Sequence, residues 1–199
     1  MLFSDRPARS FRPGLAALRQ VLGGDPRQID DYGQRPFGVL IYEPEQEFAL
    51  AAALGQMRDE LAGQDRVVRL LSFAELLRKV LDQSLAEQGG TREELYQLER
   101  DFGQAELGSG LAGLLDAALA STIVAQARDL RPERDALILT RAGLLYPYYR
   151  VNPLLETLGN FADMRVATVL CYPGRREGET GLSFMGEQDV LRGYRQRIF

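Results

Sequence analysis

The chain has 199 residues, 45% apolar and 26% charged, with a formal net charge of −4, which is enough for one domain with a substantial core. It contains no histidine and a single cysteine, Cys171, which excludes Ser-His-Asp and Cys-His nucleophile systems, His-ligated metals and an internal disulfide. One lysine, Lys79, stands among 24 basic residues and follows Arg78 rather than a glycine, which excludes a phosphate loop ending in Gly-Lys-Ser/Thr.

The N-terminal sequence MLFSDRPARSFRPG has charges breaking every apolar pair, and no uninterrupted apolar run approaches the length of a membrane span. A cytoplasmic location and no membrane partner are expected. Charge is uneven along the chain. Residues 1–35 hold six arginines against four acids, residues 36–140 ten basic against eighteen acidic groups, and residues 141–199 eight arginines against six acids. The C-terminal third is too weakly basic to argue for direct nucleic-acid contact.

Residues 1–35 read as an irregular lead-in with one short helix. Pro13 suits its first turn, Leu15, Leu18 and Leu22 share a face, and Gly23-Gly24 ends it. The first strand is expected at residues 38–42. Glu43 ends it and Pro44 opens a helix whose buried stripe would be Phe48, Ala51, Leu54, Met57 and Leu61. Residues 67–71 form the second strand. Ser72-Phe73-Ala74-Glu75 is a capping box for the next helix, which runs to Gly89-Gly90, and Thr91-Arg92-Glu93-Glu94 is another.

That second box starts a polar helix with Leu95, Leu98 and Phe102 on one side, and a longer Ala/Leu-rich helix follows Gly108-Ser109-Gly110. Gly108 to Gly113 match G-x-G-x-x-G letter for letter. The preceding segment is helical and acidic rather than a strand, so a flexible helix–helix joint is the better reading than dinucleotide binding.

The third strand, Ala136-Leu137-Ile138-Leu139-Thr140, is apolar without alternation, as a strand covered on both faces requires. A short helix capped by Asn152 and Pro153 comes next, then a fourth strand at 166–171, a turn through Arg175 to Gly181, an edge strand at 182–185 and a half-buried tail strand within 193–199. Strands alternating with helices imply right-handed crossovers. The expected fold is a three-layer α/β domain over 36–199. Its sheet is mostly parallel and Rossmann-like, of four to six strands, with a helical insertion over about 73–129 between the second and third strands.

Recognition in open α/β sheets sits beyond the carboxyl ends of the strands. The candidate partner- or ligand-binding residues are therefore Tyr42 and Glu43 after the first strand, Arg141, Tyr146 and Arg150 after the third, and Tyr172 and Arg175 after the fourth. Tyr and Arg join large contact area to a polar handle. No catalytic or metal set is expected, and no cofactor.

Residues 139–150, Leu-Thr-Arg-Ala-Gly-Leu-Leu-Tyr-Pro-Tyr-Tyr-Arg, resemble the Leu-Thr-x-x-Gly-x-x-Tyr-Pro-x-x-Arg stretch of the BrxB family of BREX bacteriophage-exclusion systems. Ile41-Tyr42-Glu43-Pro44 and the pair Cys171-Tyr172-Pro173-Gly174 and Leu182-Ser183-Phe184-Met185 agree in order and spacing, and Arg192 to Phe199 agree less closely. A histidine and a Leu-Asn-Asn-Leu run that the family carries are replaced here by Val151-Asn152-Pro153 and Leu155-Glu156-Thr157-Leu158. The resemblance implies a non-catalytic component of an antiviral defence system, bound to the PglZ-like protein and other BREX components.

Two other readings use the same residues. In the first, a nucleotide- or phosphate-binding regulatory domain would place Arg141, Arg150 and Arg175 on phosphates, stack Tyr146 or Tyr172 on a base and hold a ribose hydroxyl with Glu43. In the second, an enzyme would use carboxylates alone, Glu43 with Asp30 or Asp31 around Mg²⁺. The acids lie far apart in sequence and nothing fixes their geometry.

Overall fold

The computed structural model describes residues 10–30, 36–146, 149, 151–161, 164–177, 181–184 and 197–199. Five strands pair in parallel in the order β2-β3-β4-β1-β6: β1 (Phe37–Tyr42), β2 (Val68–Ser72), β3 (Ala136–Thr140), β4 (Ala167–Glu177) and β6 (Arg197–Ile198). A sixth, β5 (Gly181–Phe184), folds back antiparallel on the outer half of β4. The apolar runs of β1 and β3 are buried almost throughout because helices cover both faces.

Helices α1 (Arg12–Gly23) and α2 (Glu47–Ala62) close one face. Their Leu18, Leu22, Leu50, Leu54, Met57 and Leu61 meet Leu40, Ile138 and Val169 of the strands. On the opposite face lie α3 (Phe73–Gln88), the second half of α4 (Arg92–Ala127) and α5 (Val151–Gly159), packed on Val39, Leu137, Leu139 and Leu170. The chain leaves β1 along one face and travels β2 to β3 to β4 along the other. Steps in opposite directions on opposite faces give these crossovers one common hand, which in parallel sheets is the right-handed one.

Three expectations change. Phe48 and Ala51 are exposed, because the chain first makes a 3₁₀ turn at Pro44–Gln46 and α2 then buries Leu50, Leu54, Met57 and Leu61, a different but equally periodic stripe. Residues 108–113 lie inside α4 as continuous helix rather than as a loop at a helix start. The joint falls instead at Gly103, whose φ of 81° and ψ of 169° only glycine adopts readily. The turn expected from Arg175 is the last part of β4. Pro173 is tolerated there because the β1–β4 ladder ends at the Tyr42–Pro173 pair, so the missing N–H falls at its last rung.

Gly110–Ala127 is long and apolar enough by composition to cross a membrane, with mean hydropathy 1.4. Its Leu115, Leu119, Ala120, Ile123 and Val124 are core residues against the sheet, which accounts for that apolar character within the domain.

Candidate functional site: the crest at the carboxyl ends of the strands

Strands β3, β4 and β1 are neighbours, so the residues that follow them converge. In register, Leu139 faces Leu170 and Ile41 faces Tyr172, which sets Arg141, Tyr172 and Ile41 at nearly one level across three strands. At this rim α2 leaves β1 for one face while the segment after β3 leaves for the other, the divergence at which open sheets form crevices.

Glu43 closes β1. Its carboxylate caps the 3₁₀ turn by accepting the backbone N–H of Gln46, while Gln46 Oε1 accepts the Glu43 N–H at 3.4 Å. The same carboxylate is buried and pairs with Arg175 Nε at 3.2 Å. Helix capping and ion pairing therefore share one side chain, and they tie β1 to β4. Arg175 remains 49% exposed. The pair forms one wall of a cleft of about 210 Å³, also lined by Phe11, Ile41, Tyr42 and Phe199.

Tyr42 and Tyr172 are interior residues, which corrects their expected place on the binding surface. Neighbouring strands present them to opposite faces, and both helical layers reach the strand ends and cover them. Tyr42 donates its hydroxyl to the Glu47 carboxylate at the start of α2. Burial first, then that hydrogen bond and the Glu47 charge, push the phenol well above its ordinary range, while the nearby Arg141 charge acts the other way. Burial alone raises Tyr172. Both stay neutral and act as scaffold. Cys171 is fully buried, its thiol raised by burial and by Glu47, and is inert at neutral pH.

Arg141 is exposed and sits in the left-handed region at φ 62°, an uncommon conformation for a side-chain-bearing residue. Its carbonyl accepts the Leu144 N–H at 3.1 Å and so starts the 3₁₀ turn Ala142–Leu145, which buries Ala142 and Leu145 and turns Leu144 and Tyr146 outward. Tyr146 is 43% exposed. Arg150 lies outside the described residues. The loop is anchored from below, where buried Tyr149 donates its hydroxyl to Asp116 Oδ1 of α4 at 2.5 Å and Thr157 of α5 reaches Asp116 at 3.3 Å.

An exposed apolar residue that sequence reasoning missed is Phe48, 86% exposed at the first turn of α2. It lies about 160° around the helix from Leu50, and choosing the Leu50-Leu54-Met57-Leu61 stripe would have revealed it. Leu144 and Tyr146 thus add exposed apolar surface to a rim that also carries Arg141 and Arg175, while Phe48 faces solvent on the outer side of α2. Among the described residues no group of three or more Cys, Asp or Glu is placed to hold a metal ion.

Fold and site together define an α/β domain whose distinctive surface is the charged and aromatic crest of a parallel sheet, held in place by buried polar side chains. Residues 74–198 match the family described as BREX protein BrxB, and the chain belongs to that family. It is a component of a BREX antiviral defence system, and other BREX components are its implied partners. Arg141, Tyr146, Arg150, Tyr172 and Arg175 lie within the matched segment, and Tyr42 and Glu43 lie before it. No curated protein and no solved structure matches the chain.

Proposed function

We propose that this chain is a non-catalytic, cytoplasmic interaction subunit whose crest docks the PglZ-like partner on a Rossmann-like scaffold. The observation that carries the reading is the composition of the exposed rim. Leu144 and Tyr146 are large exposed side chains in the same segment as the exposed Arg141, with the half-exposed Arg175 on the neighbouring strand. Aromatic and arginine side chains supply most of the binding energy at protein interfaces, and a monomer has no use for them exposed together. The segment after β3 carries Arg150 as well, and its guanidinium would pair with a partner carboxylate.

The nucleotide reading loses one of its two stacking tyrosines, because Tyr172 is in the core and Tyr146 alone of that pair is exposed. Co-purification from cells that express both proteins tests the proposal. Tyr146→Ala and Arg150→Ala reduce recovery of the PglZ-like protein while the melting temperature holds. Variants that simply unfold would make the tyrosine loop part of the core, and stabilisation of the wild-type chain by several degrees with one nucleotide would favour the other reading.

A further inference from the structure

The first half of α4 is separate from the layer that covers the sheet. The break at Gly103 leaves residues 92–102 as an arm beside α3, fastened by a two-pronged ion pair from Arg92 to Asp82 at 2.7 and 2.5 Å. Leu95, Leu98 and Phe102 fall at i, i+3 and i+7, one stripe on that arm. Phe102 is 65% exposed and Leu98 44%. Helical spacing puts Glu94 and Asp101 along one edge of the stripe and Glu99 along the other. Glu94 accepts the Thr91 N–H at 2.7 Å and Asp101 accepts from Gln97 at 2.7 Å, neutral bonds that leave both charges in place. The arm's cations lie elsewhere: Arg92 is held by Asp82, and Arg100, bonded to Gln97 at 2.8 Å, lies on the far side.

We propose that this arm is a second docking surface, distinct from the crest, and that it takes an amphipathic helix of another protein whose apolar stripe is flanked by lysine or arginine. Charge decides the occupant. A second copy laid stripe to stripe would set carboxylate rims against each other, which opposes association, whereas a basic flank turns the same three carboxylates into register-fixing contacts. The crest presents arginines and the arm presents carboxylates, so the two surfaces select partners of different chemistry. One chain would thereby bridge two components of its system, and either surface can fail without the other.

The test titrates the full-length chain with two labelled synthetic amphipathic helices that share one leucine stripe, one flanked by lysine and the other by glutamate. The lysine-flanked helix binds and the glutamate-flanked one does not. Leu98→Asp with Phe102→Asp weakens binding roughly tenfold or more, as loss of hot-spot side chains does. Glu99→Arg with Asp101→Arg leaves the stripe intact and moves the preference to the glutamate-flanked helix, and the crest variant Arg141→Glu changes neither titration. Binding of neither helix, equal binding of both, indifference to the stripe variant, or a dimer of the chain abolished by Leu98→Asp would overturn the proposal.

Discussion

Asp135 holds the end of the sheet opposite the crest, and its replacement by asparagine probes how that end is built. The carboxylate is buried and accepts four hydrogen bonds: from Val67 N at 2.9 Å and from Arg131 N at 2.8 Å, Nε at 2.9 Å and Nη2 at 3.1 Å. Asparagine keeps the size but turns an NH₂ toward donors and leaves the Arg131 charge uncompensated. Removing one partner of a buried ion pair costs roughly 3–5 kcal/mol. Arg131 is 42% exposed and recovers some hydration, so the lower end, about 3 kcal/mol, applies. In a chain of this length that is roughly 6–12 °C in Tm.

The cost also depends on pH. Desolvation pushes the Asp135 carboxyl up, but the Arg131 guanidinium and the N–H groups of Val67 and Arg131 outweigh it and hold the group below its ordinary 3.8. The unfolded chain therefore takes up the proton first. The stabilisation is complete above about pH 4 and is lost as pH falls through the folded-state value. Urea denaturation of wild type and Asp135→Asn at pH 7 and at lower pH measures both effects, with Arg131→Ala and the double variant completing a cycle. A loss below about 1 kcal/mol at pH 7, or a gap that does not narrow on acidification, would refute the reasoning.

Tyr149→Phe removes the hydroxyl bond to Asp116, should cost about 1–2 kcal/mol, and should speed hydrogen exchange in the Ala142–Leu145 turn. Because burial and Asp116 raise the Tyr149 pKa, the wild-type advantage persists below about pH 10 and is lost above it, as a pH series of melts would show. Gly174→Ala would set a Cβ 2.0 Å from the Ser183 carbonyl oxygen, so β5 must shift at a cost of about 1–3 kcal/mol by calorimetry. Arg141→Gly relieves the left-handed residue at φ 62° and should leave stability unchanged or raise it by about 0.5–1 kcal/mol while partner binding falls.

The sheet was largely legible in sequence, because β1, β3 and the first half of β4 are covered on both faces and must be apolar at every position. Arg175 was not, since nothing local shows that its backbone will pair with Ser183 in β5. Two glycines at 108 and 110 suggested a joint, yet the break fell at Gly103, and composition cannot tell which glycine a helix will push into positive φ. At the site, Arg141 and Tyr146 are exposed as expected, whereas Tyr42 and Tyr172 are buried by helices whose reach past the strand ends is a tertiary property. Phe48 was misplaced because α2 offers two competing periodic stripes, and only packing chooses between them.

The account stands on the crest being a protein-binding surface, and a calorimetric titration of the purified chain with its PglZ-like partner reads that directly. Tyr146→Ala combined with Arg141→Glu is compared with Arg58→Glu, an exposed charge on α2 that buries none of the sheet-facing stripe. The crest variant should weaken binding roughly tenfold or more with Tm nearly unchanged, and the Arg58 variant should titrate like wild type. A crest variant that binds as tightly as the wild-type chain would contradict the account.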